Sequence, residues 1–151
     1  YKLATNQNLP EGYSISDPWK SIITNNPKEG GYVLGLTTGR NKNWWEFLTQ
    51  GQKSTVLIAP NLGIKSDIIK QAVFGHEYIH AYHRYLGLAA QYGKNFSNYT
   101  ESSAYHYTIN LLKTRGQNFS GFLNQYYNYG ASFPGSFNWT YAIKNIVNFK
   151  K

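Results

Sequence analysis

The 151 residues include no cysteine, no methionine and only seven acidic side chains. Without cysteine there is no disulfide, no thiolate metal site and no cysteine nucleophile, and the chain can cross between redox compartments unchanged. No apolar run approaches the roughly 18 residues that a membrane-spanning helix needs. The chain opens on Tyr1 rather than on methionine, so we expect a processed product or a segment of a longer protein. No signal peptide is visible.

Against the seven acids stand 15 lysines and arginines, giving a net charge of +8. Such a balance raises nucleic acid or an anionic surface as a partner. The cations are scattered, however, with no block longer than Lys150-Lys151. A solvated surface of one sign is therefore favoured over a nucleic-acid groove. What the chain has in quantity is aromatic: 41% of residues are hydrophobic, 17% are aromatic and 14 are tyrosine. That is a globular composition, and the length suits a single domain spanning residues 1–151.

Residues 1–30 read as irregular, punctuated by Pro10, Gly12, Pro18, Pro27 and Gly30-Gly31. Tyr32–Leu36 and Ser54–Ala59 read as strands, with a short helix over Asn43–Gln50 carrying Trp44 and Trp45, a pair expected in the core. Ser66 as N-cap and Asp67 in the first turn open a long helix that continues to Leu86 and stops at Gly87. A second helix is expected over about 100–115, followed by weaker helical stretches at Phe119–Tyr129 and Trp139–Phe149. This order, mixed segments and then helices, is α+β.

The first helix carries His76-Glu77-Tyr78-Ile79-His80. Histidines four apart project from one helical face and can grip one ion, while the intervening Glu reaches a water without being a ligand. Zinc suits neutral imidazole and brings the pKa of its water to about 7, and Glu77 can then act as general base. At about 100° per residue, Ile69, Ala72, Val73, His80 and His83 fall within roughly 60° of His76, so the histidines lie on the apolar stripe. Lys70, Glu77 and Arg84 share the adjacent flank. A polar ring in that stripe needs a partner, and a metal is one.

A catalytic zinc takes three protein ligands. After Glu77 the only carboxylate side chain is Glu101, in the first turn of the second helix. It shares a face with Ala104, Tyr105, Thr108 and Leu112, which should pack inward. His106 is rotated roughly 140° away, toward solvent. His83 lies seven residues past His76, about 10 Å along a straight helix, too far to join the same ion. Glu101 is thus the expected third ligand, and His83 belongs to the core or to the hydrogen-bonding layer behind the ligands. For a donor to the developing oxyanion, Tyr82, Tyr99, Tyr105, His83 and His106 are all chemically able. The Ser54–Ala59 strand is a candidate edge for aligning a peptide.

The set His76, Glu77, His80 and Glu101 resembles the gluzincin type of zincin metallopeptidase, in which a second helix supplies a Glu to a His-Glu-x-x-His helix. The metzincin pattern does not fit, because His83 and Leu86 stand where it needs glycine and histidine. More narrowly, GHEYIHAYHRY followed by NYTESSAYHYT, within roughly residues 55–115, resembles the C-terminal metallopeptidase domains of bacterial polymorphic toxins. These include domains behind Rhs/YD-repeat shells and effector proteases of the NleD-like kind. The resemblance implies a zincin-like fold, Zn2+ as cofactor, a protein or peptide substrate, secretion or delivery into a target cell, and an acidic immunity protein as partner. Tyr105 departs from the pattern, which often places an acid there to orient a histidine; that role would pass to backbone carbonyls or Asn. The expected activity is zinc-dependent peptide hydrolysis. A zinc hydrolase or nuclease acting on nucleic acid, and a non-catalytic module with a structural zinc site, are the alternatives.

Overall fold

The computed structural model describes residues 1–25, 31–39, 45 and 53–129. In chain order these form strands β1 (Lys2–Leu3), β2 (Tyr13–Ile15), β3 (Ile22–Thr24), β4 (Tyr32–Val33), β5 (Gly35–Gly39) and β6 (Ser54–Ile58). Helices α1 (Asp67–Tyr85), α2 (Leu88–Tyr92), α3 (Phe96–Thr114) and α4 (Ser120–Asn128) follow, with 3-10 turns at Pro60–Ile64 and Gly93–Asn95. The architecture is α+β, as the element order predicts.

One sheet runs β1-β6-β5, with β1 parallel and β5 antiparallel to β6; the other is antiparallel in the order β2-β3-β4. β6 is buried on both faces, and its alternation divides the core. Val56 and Ile58 join Leu62 in packing against Ile69, Val73 and Phe74 of α1. Leu57 points the other way, with Ala4, Ile22 and Ala59. Thus the Ser54–Ala59 run is not a free edge at Leu57 and Ile58, where both neighbours pair with it. Among the described residues the edge beside α1 is β5, because β1 takes the far side of β6.

Three expectations about where elements lie change. The apolar run Tyr32–Leu36 is not one strand: Tyr32 and Val33 pair with β3, Gly35 onward pairs with β6, and the Leu34 carbonyl between them accepts the Ala59 N–H at 2.9 Å. Residues 1–25, expected to be irregular, contribute three strands of two or three residues, too short to show a period. Finally, α3 begins a turn before residue 100, led in by α2 and a 3-10 turn. By contrast α1 ends one residue from its expected end, where Gly87 takes the left-handed φ of 74°. Ser66 occupies the N-cap position without a side-chain cap bond. The α4 span agrees with Phe119–Tyr129. The Asn43–Gln50 and Trp139–Phe149 helices lie outside the described residues, apart from Trp45, which is 63% exposed rather than in the core.

α1 and α3 pack side by side. Gly75 makes this possible, since a Cβ there would overlap the Tyr107 ring of α3. That close approach brings the first turns of α3 against the middle of α1.

Candidate metal centre

α1 presents His76 and His80 one turn apart, their rings 4.9 Å between centroids and inclined at 76°. Glu101 of α3 faces both: its Oε2 is 3.5 Å from His76 Nε2 and its Oε1 is 3.3 Å from His80 Nε2. One ligand atom from each of the three lies within 4.8 Å of the others. A tetrahedral ion with bonds of about 2.1 Å would set its ligands about 3.4 Å apart, close to the separation of each Nε2 from its nearer Glu101 oxygen. This group could hold a metal ion, and among the described residues it has no fourth histidine or carboxylate.

Each imidazole is held from behind by a threonine of α3. Thr108 donates its hydroxyl to the Ala104 carbonyl at 3.1 Å, so toward His76 Nδ1, 3.4 Å away, it can only accept. That contact places a ring proton on Nδ1 and leaves Nε2, the nitrogen facing Glu101, as the one available to a metal. Thr100 Oγ1 stands 2.7 Å from His80 Nδ1 and 3.0 Å from His83 Nδ1. A single hydroxyl proton serves both rings if His80 donates to Thr100 and Thr100 donates on to His83. Among the described residues threonine hydroxyls take this role, in place of the expected backbone carbonyls or Asn.

Glu77 is buried at 5% exposure, beside the cluster but outside the ligand set. Thr37 of β5 donates to its Oε2 at 2.7 Å. Gly35 leaves room for this carboxylate, since a Cβ there would come within 2.6 Å of Glu77 Cγ. Burial pushes the Glu77 carboxyl above its ordinary range, against the opposing pull of His80, His76 and Thr37. For Glu101 burial also works upward, yet the two histidines outweigh it and hold the group well below the usual carboxylate range. Burial works downward on His80, and Glu101 and Glu77 reverse it, so the net shift is up. Two neighbouring carboxylates are thus pushed in opposite directions, the pattern by which acid–base and ligand roles separate.

His76, Glu77, His80 and Glu101 open onto one cleft of about 300 Å³, walled by Leu34, Val73, Phe96 and Phe122 among others. Of the five expected donors only Tyr105 lines this cleft, its ring edge-on to His76 at 4.6 Å. Tyr82 and Tyr99 are buried away from it, Tyr99 stacked on Tyr92 at 4.1 Å. His83 is fully buried behind the ligands, as expected of a residue that cannot reach the ion. His106 is not solvent-facing: it is half-buried toward Tyr126, because α4 covers that flank of α3 and also buries Ser102, whose hydroxyl donates to the Tyr129 carbonyl. Sequence reasoning missed Thr37, Thr100 and Thr108. Thr108, seven residues after Glu101 and on the same face, was the one with a local signal.

Compared with protein-family models, with curated proteins and with solved structures, the chain matches none. The chemistry of the site therefore rests on its own geometry.

Proposed function

We propose that this chain is a zinc-dependent endopeptidase of zincin-like fold. The observation that carries the proposal is a three-residue cluster able to hold a metal ion, bordering a cleft, with a separate buried carboxylate of raised pKa beside it. Zinc, when bound, supplies a Lewis acid that polarises a carbonyl and acidifies water to near neutrality.

The chain's own residues do the rest. Thr108 and Thr100 fix the histidine tautomers, so that both Nε2 atoms offer lone pairs. Glu77, steadied by Thr37 and with its pKa raised by burial, takes the proton of an attacking water and hands it to the leaving amine. Tyr105, on the cleft wall beside His76, is the phenol placed to donate to the developing oxyanion. The apolar walls exclude bulk water and accept side chains of an extended peptide.

A phosphodiester substrate suits this cleft less well, since Arg84 is the only lysine or arginine among its described lining residues. A purely structural zinc suits it less well too, because three ligands leave a coordination position toward the cleft. The test is metal analysis together with chelator-sensitive digestion of a protein mixture, for wild type and Glu77→Gln. Wild type should carry about one equivalent of zinc and cut, and the variant should keep the zinc and lose at least ~10²-fold of the activity. Full activity in Glu77→Gln, or digestion indifferent to chelator, would sink the proposal.

A further inference from the structure

Arg84 shares a helix flank with Glu77, seven residues and about 10 Å further along α1. Strand β5 follows that flank: Gly35 abuts Glu77, and at the other end of the strand a Cβ on Gly39 would stand 3.7 Å from Arg84 Nη1. The guanidinium Cζ also lies 5.7 Å from the centre of the Phe96 ring. Both side chains line the cleft. Arg84 is half-buried, and among the described residues no carboxylate pairs with it: the ion pairs there join Lys70 to Asp67 and the two histidines to Glu101. Burial alone lowers its pKa. A cation that has lost water without gaining a counter-charge is costly, and the cost is recovered when an anion arrives. The planar fork of donors on a guanidinium matches the two oxygens of a carboxylate.

We propose that Arg84 receives a carboxylate of the substrate about three residues from the scissile bond, an assignment that rests on the peptidase reading above. The offset follows from geometry, since about 10 Å along the helix corresponds to about three residues of extended chain at ~3.3 Å each. An Asp or Glu side chain and a chain-terminal carboxylate present the same two oxygens, and both fit. The net charge of +8 would draw such substrates in.

The test is to digest a peptide library with the zinc-loaded protein and read the cut positions by mass spectrometry. Wild type should enrich acids about three residues to one side of the cut. In a matched peptide pair it should prefer Glu to Gln by roughly 10- to 100-fold in kcat/KM, the range of a hydrogen bond to a charged group. Arg84→Gln should abolish the preference, Arg84→Lys should keep part of it, and Arg84→Glu should turn it toward Lys and Arg. Zinc content verifies that each variant is folded, and if Arg84→Gln fails that check the Lys and Glu variants carry the test. Amidated peptides separate the two sources, because a preference that survives amidation belongs to a side chain. An acid preference unchanged in the variants, or none in a wild type that cuts, overturns the assignment and leaves the peptidase reading standing. If nothing is cut, calorimetry with the Glu and Gln peptides decides. Carboxylate-dependent binding that Arg84→Gln removes upholds Arg84 and counts against the peptidase reading, whereas equal binding removes Arg84 as well.

Discussion

Thr100 Oγ1 lies 2.7 Å from His80 Nδ1, at the ring nitrogen opposite the one that faces Glu101. A neutral imidazole can offer a metal only one lone pair, so the hydroxyl that accepts a hydrogen bond from Nδ1–H decides which nitrogen is available. Thr108 does the same for His76. Replacing either threonine with valine keeps the shape and removes the acceptor. Each change should weaken zinc binding by roughly 10- to 100-fold in competition with a chelator, and serine should restore most of it. Valine variants with wild-type affinity would mean that the threonines only fill space.

Glu101→Gln tests the third ligand. The amide keeps the size of the side chain but loses its charge, so zinc recovered after gel filtration should fall from about one equivalent to a small fraction of it. The folded state should persist, because Glu101 keeps partial access to solvent at 22%. Undiminished zinc would remove Glu101 from the ligand set.

Gly35→Ala addresses the placement of Glu77 rather than its chemistry. The new Cβ would meet Glu77 Cγ at 2.6 Å, so the carboxylate or the strand must move. Overpacking of this kind costs about 1–3 kcal/mol. We expect a lower unfolding midpoint, retained zinc and at least ~10-fold lower hydrolysis. Unimpaired hydrolysis would show that the position of Glu77 tolerates displacement.

His83 predicts a pH dependence of stability in the metal-free chain. It is fully buried, and chiefly burial, then the neighbouring His80, lowers its pKa from the ordinary 6.5 to about 3. Between those values the unfolded chain binds a proton that the folded chain refuses. Stability from this group is therefore complete above pH 6.5 and is lost as pH falls toward 3. The slope is at most about 1.4 kcal/mol per pH unit. Denaturant unfolding of wild type and His83→Gln across that window should show a shallower acid loss in the variant, even if it is less stable at neutral pH. Parallel curves would show that His83 does not contribute to acid unfolding.

Much of the site could be read from the chain because it is written at helical spacing. His76, Glu77 and His80 fall within two turns, and the spacing of the histidines states the face they share. Glu101 followed by elimination in a chain with only seven acids. The sheets were less legible. β4 and β5 form one apolar run, and only pairing partners on different sheets divide it at Leu34. Strands as short as β1 leave no period to detect.

The sequence by itself determined the long α1 helix, its end near Gly87, the pair of histidines facing inward and the carboxylate best able to join them. These are local matters of periodicity, backbone freedom and residue supply. Only the tertiary structure decided that, among the described residues, β5 rather than β6 forms the edge beside Glu77. It alone brought Thr37 to a residue forty positions away, set Thr100 and Thr108 behind the imidazoles and stood Arg84 in the cleft with no carboxylate paired to it among the described residues. Those are contacts between distant segments, fixed by how β6 and α1 share a core and by how closely α3 can approach α1.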